Sequence, residues 1–275
     1  TRHTMRHLFL SASWLFVTFV GYESSQTQMW PQSSRSLDCK VWYSADRPTT
    51  SGLVLIKNPA TEGHFWMLSH EVTNKQWLEF LDYTGYSPPL FSFNLEDSYA
   101  YHQIHAWRGR TYPPGQGGLP IVSITKADAE AFCLWRSRVS GILHRLPTEE
   151  EWSAAAGSMR FPWGSDAESL KRIPLGRHIQ VGPDPYYAST DDQTASGLKF
   201  MLGNVAEFTS SVEEGSVVIR GCAYDSILSG ASLYKRQLAV EGFKGHNTGF
   251  RYVVSPDDFV QNGELFSGKN RNRDR

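Results

Sequence analysis

The sequence predicts one α+β domain over residues 52–255, rich in loops, with short strands and a few helices. Short apolar runs that suit strands alternate with segments that carry helix N-cap residues. The chain has no internal repeat, and no linker separates two hydrophobic cores. Its 23 glycines and nine tryptophans favour irregular loops that aromatic side chains pack together.

Strands are predicted where short apolar or β-branched runs occur. They fall at residues 53–56, 65–68, 119–124, 217–219 and 250–254. Two long segments, 86–118 and 161–203, contain glycine and proline and show little periodicity. Loops of this length inside a domain are usually functional or disordered. The many aromatic residues of the first segment favour an ordered loop.

Helices are predicted after three threonines, Thr73, Thr125 and Thr148, because a threonine side chain can accept a hydrogen bond at the N-cap position. The third signal is the sharpest. Glu151 stands three residues after Thr148 and completes a capping box, and the first turn is acidic, which suits the positive end of a helix. Gly85 is the predicted end of the first helix.

Both ends of the chain are expected to lie outside the domain. Residues 1–25 combine a basic start with an apolar run of secretory length and predict a signal peptide, with an uncleaved N-terminal anchor as the alternative. Residues 26–51 are polar and form a predicted leader. Residues 256–275 are expected to be a basic, flexible tail. A periplasmic or secreted location follows from this organisation.

Charge and cysteine content limit the possible functions. The formal net charge of -1 gives no electrostatic footprint for nucleic acid, so no nucleic-acid partner is expected. No membrane contact is expected beyond a possible N-terminal anchor. The three cysteines, Cys39, Cys133 and Cys222, allow at most one intramolecular disulfide, whose pairing stays open. No C-x-x-C pair occurs, which excludes thioredoxin-like redox chemistry and zinc ribbons.

Five blocks, in order, resemble the formylglycine-generating enzyme (sulfatase-modifying factor) superfamily. They are residues 71–74, 119–123, 145–152, 203–208, and 220–221 with 249–251. The block R-L-P-T-E-E-E-W at 145–152 is the most specific, and F-P-W-G follows it at 161–164. The resemblance covers most of the chain. It implies a fold related to that of C-type lectins.

Most residues in these blocks have a structural interpretation. Arg145 and the capping box are expected to fix the start of a helix. Trp152 and Phe208 are expected in the core, as is usual for large aromatic residues on such elements. Arg251 is expected to pair with a buried acid near the C-terminal strand. The blocks therefore identify the fold rather than the reaction.

The copper chemistry of the superfamily depends on residues that differ here. The resemblance implies copper(I) held by two thiolates, six and eleven residues after the arginine of an R-G-G-S-(W/Y) turn. In this chain the turn begins at Arg220 and includes Tyr224, which places Ser226 and Ala231 at the two thiolate positions. Neither can replace a soft thiolate ligand of copper(I). Copper is therefore not expected to bind, and copper-dependent formylglycine formation is not expected.

Cys222 stands four residues before the first thiolate position. It is predicted to be a small buried hydrophobe, with a displaced reactive thiol as the alternative. If a catalytic pocket exists, its candidates are Cys222, Tyr224, Ser226 and Arg236. A pocket with convergent polar groups at these residues would favour an enzyme.

The calcium site implied by the resemblance is incomplete. Gly203, Val205 and Glu207 remain, but Phe200 replaces a side-chain ligand, so calcium is expected to bind weakly or not at all unless Asp191 or Asp192 compensates. In the alternative interpretation Glu207 is a buried carboxylate bonded to backbone amides. No other cofactor is predicted.

A branch of the superfamily binds non-haem iron through histidines, which invites comparison with His102 and His105. Because a third ligand is missing, both are expected to be ordinary loop histidines.

Two functions remain open, and the sequence leaves undecided whether the chain is an enzyme. In the first, the domain is a binding or accessory protein for a small molecule, a glycan or a protein. In the second, it is an enzyme of altered chemistry, such as an oxidoreductase in the maturation of a secreted, pyoverdine-like siderophore. A true formylglycine-generating oxidase is the third possibility.

Overall fold

The computed structural model describes residues 52–58, 63–86, 104–261 and 264–267, all within the compact unit Tyr43–Arg275. The helices are α1 (Asn74–Thr84), α2 (Lys126–Ser140) and α3 (Glu149–Ala156), with 3-10 helices at Ala167–Arg172 and Leu228–Gly230. The strands are β1 (Leu53–Lys57), β2 (His64–Leu68), β3 (Ile142–Arg145), β4 (Ala206–Glu213), β5 (Ser216–Arg220), β6 (Arg236–Ala239), β7 (Thr248–Gly249), β8 (Val253–Gln261) and β9 (Glu264–Ser267).

These strands form two sheets. The first has the order β1-β2-β8-β3, with β9 paired to β8, and all its pairs are antiparallel. The second has the order β6-β5-β4-β7, in which only the short β4–β7 pair is parallel. Consequently β6 is an outermost strand of the second sheet.

The predicted helix starts are confirmed. Thr73, Thr125 and Thr148 are N-caps, and each forms a complete capping box with the residue three positions later. At α3, the two terminal guanidinium nitrogens of Arg145 each lie 2.6 Å from an oxygen of the Glu151 carboxylate, which also accepts a hydrogen bond from the Thr148 amide. Burial opposes the ionised carboxylate, but the hydrogen bonds from Arg145 and Thr148 dominate and lower the pKa of Glu151.

Aromatic residues fill the space between the helices and sheets. Trp77 of α1 stacks on Phe132 of α2 with ring centroids 5.7 Å apart, and Phe132 meets Phe250 edge to face at 5.5 Å. Trp152 and Phe208 are buried, as predicted, with 0% and 1% of their surface exposed. Trp152 belongs to a larger apolar cluster that joins α3 to β1, β2 and β8.

Some of the predicted elements differ from the structure. Residues 119–124 form no strand. Pro120 lacks an N–H donor, and Ser123 has a positive φ of 60°, so the backbone makes one isolated bridge between Thr73 and Pro120. Strands β3, β4, β6, β7 and β9 and the two 3-10 helices were not predicted.

The C-terminal strand also differs, since β8 begins at Val253 and continues to Gln261 through its pairing with β9. The prediction of a flexible tail from residue 256 therefore does not hold for the residues of β8 and β9, and residues 268–275 lie outside the described residues. The predicted targeting segment 1–25 and leader 26–51 lie outside the described residues. In the described segments, no helix is both long and apolar enough to span a bilayer.

Candidate functional site

The turn at residues 220–226 rests on the loop that precedes β4. The Cys222 amide donates to the Leu202 carbonyl at 2.9 Å, and the Tyr224 amide donates to the Asn204 carbonyl at 2.8 Å. Gly221 has a φ of 81°, and a Cβ there would lie 3.4 Å from the Trp152 ring. This conformation suits glycine. Backbone hydrogen bonds to Leu202 and Asn204 therefore hold the turn in place.

The two predicted thiolate positions have structural roles. The Ser226 hydroxyl accepts the Ala223 amide at 2.9 Å and closes the turn. Ala231 is completely buried in the apolar cluster around Trp152. An oxygen at one position and a methyl group at the other give copper(I) no soft ligand.

Cys222 is buried, with 1% of its surface exposed, and its sulfur lies 4.0 Å from the Ser232 carbonyl. Burial raises the pKa of the Cys222 thiol, which disfavours the nucleophilic thiolate. Burial likewise raises the pKa of Cys133. Cys133 and Cys222 are free thiols, and Cys39 lies outside the described residues. The side chain at 222 therefore packs as a small hydrophobe.

The structure places three of the four pocket candidates in different surroundings. Tyr224 packs against Val122 and Val205, while Cys222 belongs to the cluster around Trp152. Arg236 extends from β6 to Glu149 and Glu213. Among the hydrogen bonds of the described residues, none joins any two of these four side chains.

A polar cluster that the sequence did not predict lies on the same turn. The Asp225 carboxylate accepts a hydrogen bond from His246 Nε2 at 2.9 Å and from Asn247 Nδ2 at 3.0 Å. Burial alone would raise the pKa of Asp225, but the bonds from His246 and Asn247 outweigh it and lower the pKa. A carboxylate that orients an imidazole is a common arrangement for proton transfer. The only sequence signal was the proximity of His246 to the block at 249–251.

Arg251 and Glu207 form a buried ion pair near the loop that precedes β4. Arg251 donates to the Glu207 carboxylate at 2.6–2.9 Å, and Trp152 Nε1 donates to the same carboxylate at 2.8 Å. Arg251 and Glu207 are almost fully buried, so the predicted pairing of Arg251 with a buried acid is confirmed. The expectation that Glu207 binds backbone amides is wrong, because the partners are side chains.

Asp192 takes the role that was expected of Glu207. Its carboxylate accepts the amides of Leu202 and Gly203, the latter at 2.7 Å. A Cβ at Gly203 would lie 2.6 Å from the Pro174 carbonyl oxygen, so only glycine allows this approach. Burial raises the pKa of Asp192 to about 6 despite these two hydrogen bonds.

Glu71 is a second buried carboxyl group in this region. Its Oε1 accepts Asn204 Nδ2 at 3.1 Å, and Asn204 also accepts the Asp184 amide at 2.7 Å. Burial raises the pKa of Glu71 to about 8, and the nearby negative charge of Glu207 acts in the same direction while Arg251 opposes it. Because the Asn204 carbonyl also accepts a hydrogen bond from the Tyr224 amide, this network connects Glu71 to the turn.

The remaining metal candidates gain no support from the structure. The ring of His105 contacts Gln116 Oε1 at 3.1 Å and the Gln180 carbonyl at 3.4 Å. His102 lies outside the described residues. Within the described ranges, no three His, Cys, Asp or Glu side chains are placed to hold a metal ion. Whether calcium binds at Gly203, Val205 and Glu207 stays a prediction.

An open groove of about 1020 Å³ runs along α3. Its lining includes Lys57, Glu149, Glu150, Arg220, Leu233 and Tyr234. The Arg220 guanidinium lies over the Trp152 ring at 5.1 Å, pairs with Glu149 at 3.0 Å and donates to the Leu233 carbonyl at 3.0 Å. Arg220 was identified from the sequence, but the groove was not, because its other residues come from segments far apart in the chain.

Comparison with known proteins gives a family match and several relatives. Residues 57–256 match the model of the sulfatase-modifying factor enzyme 1-like domain. Hercynine oxygenase of Mycolicibacterium smegmatis is 34% identical over 158 residues, which span 51% of this chain but only 35% of that protein. The inactive C-alpha-formylglycine-generating enzyme 2 of Mus musculus is 27% identical over 231 residues, 67% of this chain and 73% of that protein.

Among solved structures, PvdO from Pseudomonas aeruginosa has a similar fold. The TM-score is 0.55 at 19% identity, over 74% of this chain and 91% of that chain. The predicted α+β fold with short strands and few helices is confirmed by this similarity and by the strands and helices themselves.

Proposed function

Because the chain belongs to the family of sulfatase-modifying factor enzyme 1-like domains, we propose that it is a binding or accessory member without copper-dependent formylglycine-generating activity. Its ligand would be a small molecule, a glycan or a protein, and no nucleic acid or membrane partner is proposed beyond an N-terminal anchor. Export to the periplasm or the exterior is part of the proposal, on the basis of the basic and apolar pattern of residues 1–25.

The environment of the two thiolate positions supports this function most strongly. Ala231 has no exposed surface and packs in the core, and the Ser226 hydroxyl is used to close the turn. Cys222 offers no substitute, because its thiol is buried, with 1% of the residue exposed. The relative from Mus musculus whose name describes it as inactive covers two thirds of the chain. The residues therefore do not fit copper(I).

The test is a direct assay of formylglycine formation. The purified chain would be incubated with copper(I), oxygen and a peptide that carries the sulfatase cysteine motif, and the peptide mass would be followed. The active formylglycine-generating enzyme of Mus musculus, a 27% identical relative, serves as the positive control. We expect no conversion and no tight copper(I) binding by the chain. Conversion at a rate comparable to that of the control would overturn the proposal.

The Asp225–His246 pair supports a second candidate, an oxidoreductase of altered chemistry. The pair lies on the same turn as Ser226, and an imidazole held by a carboxylate can accept a proton from a bound substrate. Here the substrate would be a precursor of a secreted, pyoverdine-like siderophore that loses two electrons and two protons, and molecular oxygen would take them up to give hydrogen peroxide. Oxygen uptake and the mass of a pyoverdine precursor peptide would be measured for the chain and for His246→Gln. Turnover that His246→Gln abolishes would favour the enzyme over the binding protein.

A further inference from the structure

Strand β6 presents an open backbone edge. In the segments that the structure describes, β6 pairs with β5 on one side and with no strand on the other. The Gly221 amide donates to the Lys235 carbonyl, so alternate residues from Lys235 onward direct their N–H and C=O groups to β5. Arg236 and Leu238 therefore direct both groups outward, and Val240 directs its amide outward. Such an edge is a template for pairing with another extended chain.

The apolar side chains along this edge are exposed. Leu238 is 49% exposed, and Val240, two residues further along, is 73% exposed. Arg236 shares the sheet face of Leu238, since side chains two residues apart in a strand point the same way. Glu149 and Glu213 hold the Arg236 guanidinium, which fixes its apolar stem beside Leu238. The edge thus offers an apolar strip that a partner strand would cover.

Two opposite charges flank this edge symmetrically. Lys235 lies three positions before Leu238, and Glu241 lies three positions after it. Both side chains are exposed, and neither forms an ion pair with another described residue. An acidic or a basic partner segment would be attracted at one end of the edge and repelled at the other. A strand that carries the same two charges in the reverse direction would be attracted at both ends.

We propose that two copies of the chain associate through β6, which pairs with the β6 of the second copy in antiparallel orientation. The two-fold axis passes beside Leu238, so Leu238 of one copy lies opposite Leu238 of the other. Arg236 then lies opposite Val240, whose side chain packs on the arginine stem, and Lys235 lies opposite Glu241. Because such an interface is self-complementary, the Lys235–Glu241 contact forms twice. The inference goes beyond the proposed function, since it does not depend on the ligand that the chain binds.

The backbone of β6 favours this register over its neighbours. Outward groups of one strand must lie opposite outward groups of the other, so the register changes only in steps of two residues. One step in either direction would place Lys235 opposite Ala239 or Phe243 and separate it from Glu241. Glu241 follows the strand as the first residue after Val240, whose carbonyl accepts the Phe243 amide in a turn. Its side chain therefore stands at the end of β6, and the long lysine side chain spans the departure from strand geometry.

The first test measures self-association of the full chain. Sedimentation velocity over a concentration series should show conversion of monomer to dimer, and added salt should reduce the dimer. Lys235→Glu turns both Lys–Glu contacts into repulsions and should raise the dissociation constant of the dimer at least about tenfold. Glu241→Lys should weaken the dimer similarly. Lys75→Glu is the matched control and should leave association unchanged, because Lys75 is an exposed lysine of α1.

The second test restores the charges in two ways. Lys235→Glu and Glu241→Lys in one chain again place opposite charges at both contacts, so the double variant should dimerise like the original chain. A mixture of the two single variants should form a heterodimer, because one strand then carries two acidic side chains and the other two basic ones. Only a surface that places residue 235 against residue 241 of the second copy gives both results.

The third test concerns the backbone. Leu238→Pro removes an outward N–H, which an edge strand tolerates, so it should abolish the dimer and leave the circular dichroism spectrum unchanged. The inference would be overturned by a chain that is monomeric at every concentration, by single variants that associate as Lys75→Glu does, or by a mixture that forms no heterodimer. None of these outcomes bears on formylglycine formation, so a failure here is distinct from a failure of the proposed function.

Discussion

Trp152 belongs both to the family block at 145–152 and to the buried network that it forms with Glu207 and Arg251. Replacing it tests how much these contacts stabilise the fold. The indole has no exposed surface, its Nε1 donates to Glu207 at 2.8 Å, and Arg220 lies over its ring at 5.1 Å. Three contributions are therefore lost together in Trp152→Ala: apolar burial, a hydrogen bond to a buried carboxylate, and a cation–π contact.

The expected loss in the free energy of unfolding follows from these contributions. Truncation of a large buried aromatic residue costs about 3–5 kcal/mol. A hydrogen bond to a charged group contributes about 1.5–3 kcal/mol. Trp152→Phe removes the N–H donor and keeps most of the ring, so it should cost about 2–3 kcal/mol. The loss of stability in Trp152→Ala should be about 5 kcal/mol, at or above the upper end of the range for truncation of a buried aromatic residue.

The assay is denaturation by urea, with fluorescence and circular dichroism followed in parallel so that two-state behaviour can be verified. Trp163→Phe is a suitable control, because Trp163 is only partly buried at the margin of the same cluster. It should change the free energy of unfolding by less than either Trp152 variant. A loss below about 1 kcal/mol for Trp152→Ala would refute the reasoning, since a buried residue with these contacts cannot be so neutral.

Three further predictions concern the buried ionisable groups. Burial raises the pKa of Glu71 from 4.5 to about 8, so the native state keeps a proton that the unfolded state loses. The free energy of unfolding should therefore fall as the pH rises from about 4.5 to 8. Urea titrations at several pH values should show a smaller decline for Glu71→Gln. The midpoint of thermal unfolding should be the same in millimolar calcium as in chelator, because Arg251 and Trp152 already hydrogen-bond to the Glu207 carboxylate. A rise of several degrees with calcium that is absent in Glu207→Gln would contradict this prediction. Burial raises the pKa of Cys222, so iodoacetamide at pH 8 should modify this residue only after denaturation, as peptide mass mapping would show.

The sequence predicted those elements whose signals are local. The capping boxes at Thr73, Thr125 and Thr148 each depend on residues within three positions, so all three helix starts were found. Strands β4 and β6 were missed because their assignment depends on pairing with β5. The segment 119–124 was mistaken for a strand, since apolar content alone does not reveal that Ser123 has a positive φ.

The site was predicted only in part, for a similar reason. The register of the turn from Arg220 assigned Ser226 and Ala231 to the two thiolate positions, and the prediction that copper does not bind needs only this spacing and ligand chemistry. The cluster of Asp225 with His246 joins residues 21 positions apart, and no local pattern connects them. Likewise, the partners of Glu207 come from α3 and from the segment before β8, which only the folded chain brings together.

The retained family residues and the altered ones have different roles in the structure. Trp152, Glu207 and Arg251 bind one another below the turn, where an unpaired buried charge would be strongly destabilising. This requirement applies whether or not the turn above binds a metal, because it concerns folding alone. Ser226 and Ala231 take no part in this hydrogen-bond network, and their side chains fit the turn and the core without any thiol. A chain without thiols at these two positions can therefore keep the buried contacts among Trp152, Glu207 and Arg251. The family blocks of such a sequence report the scaffold, while its chemistry must be inferred from the few positions that the scaffold does not constrain.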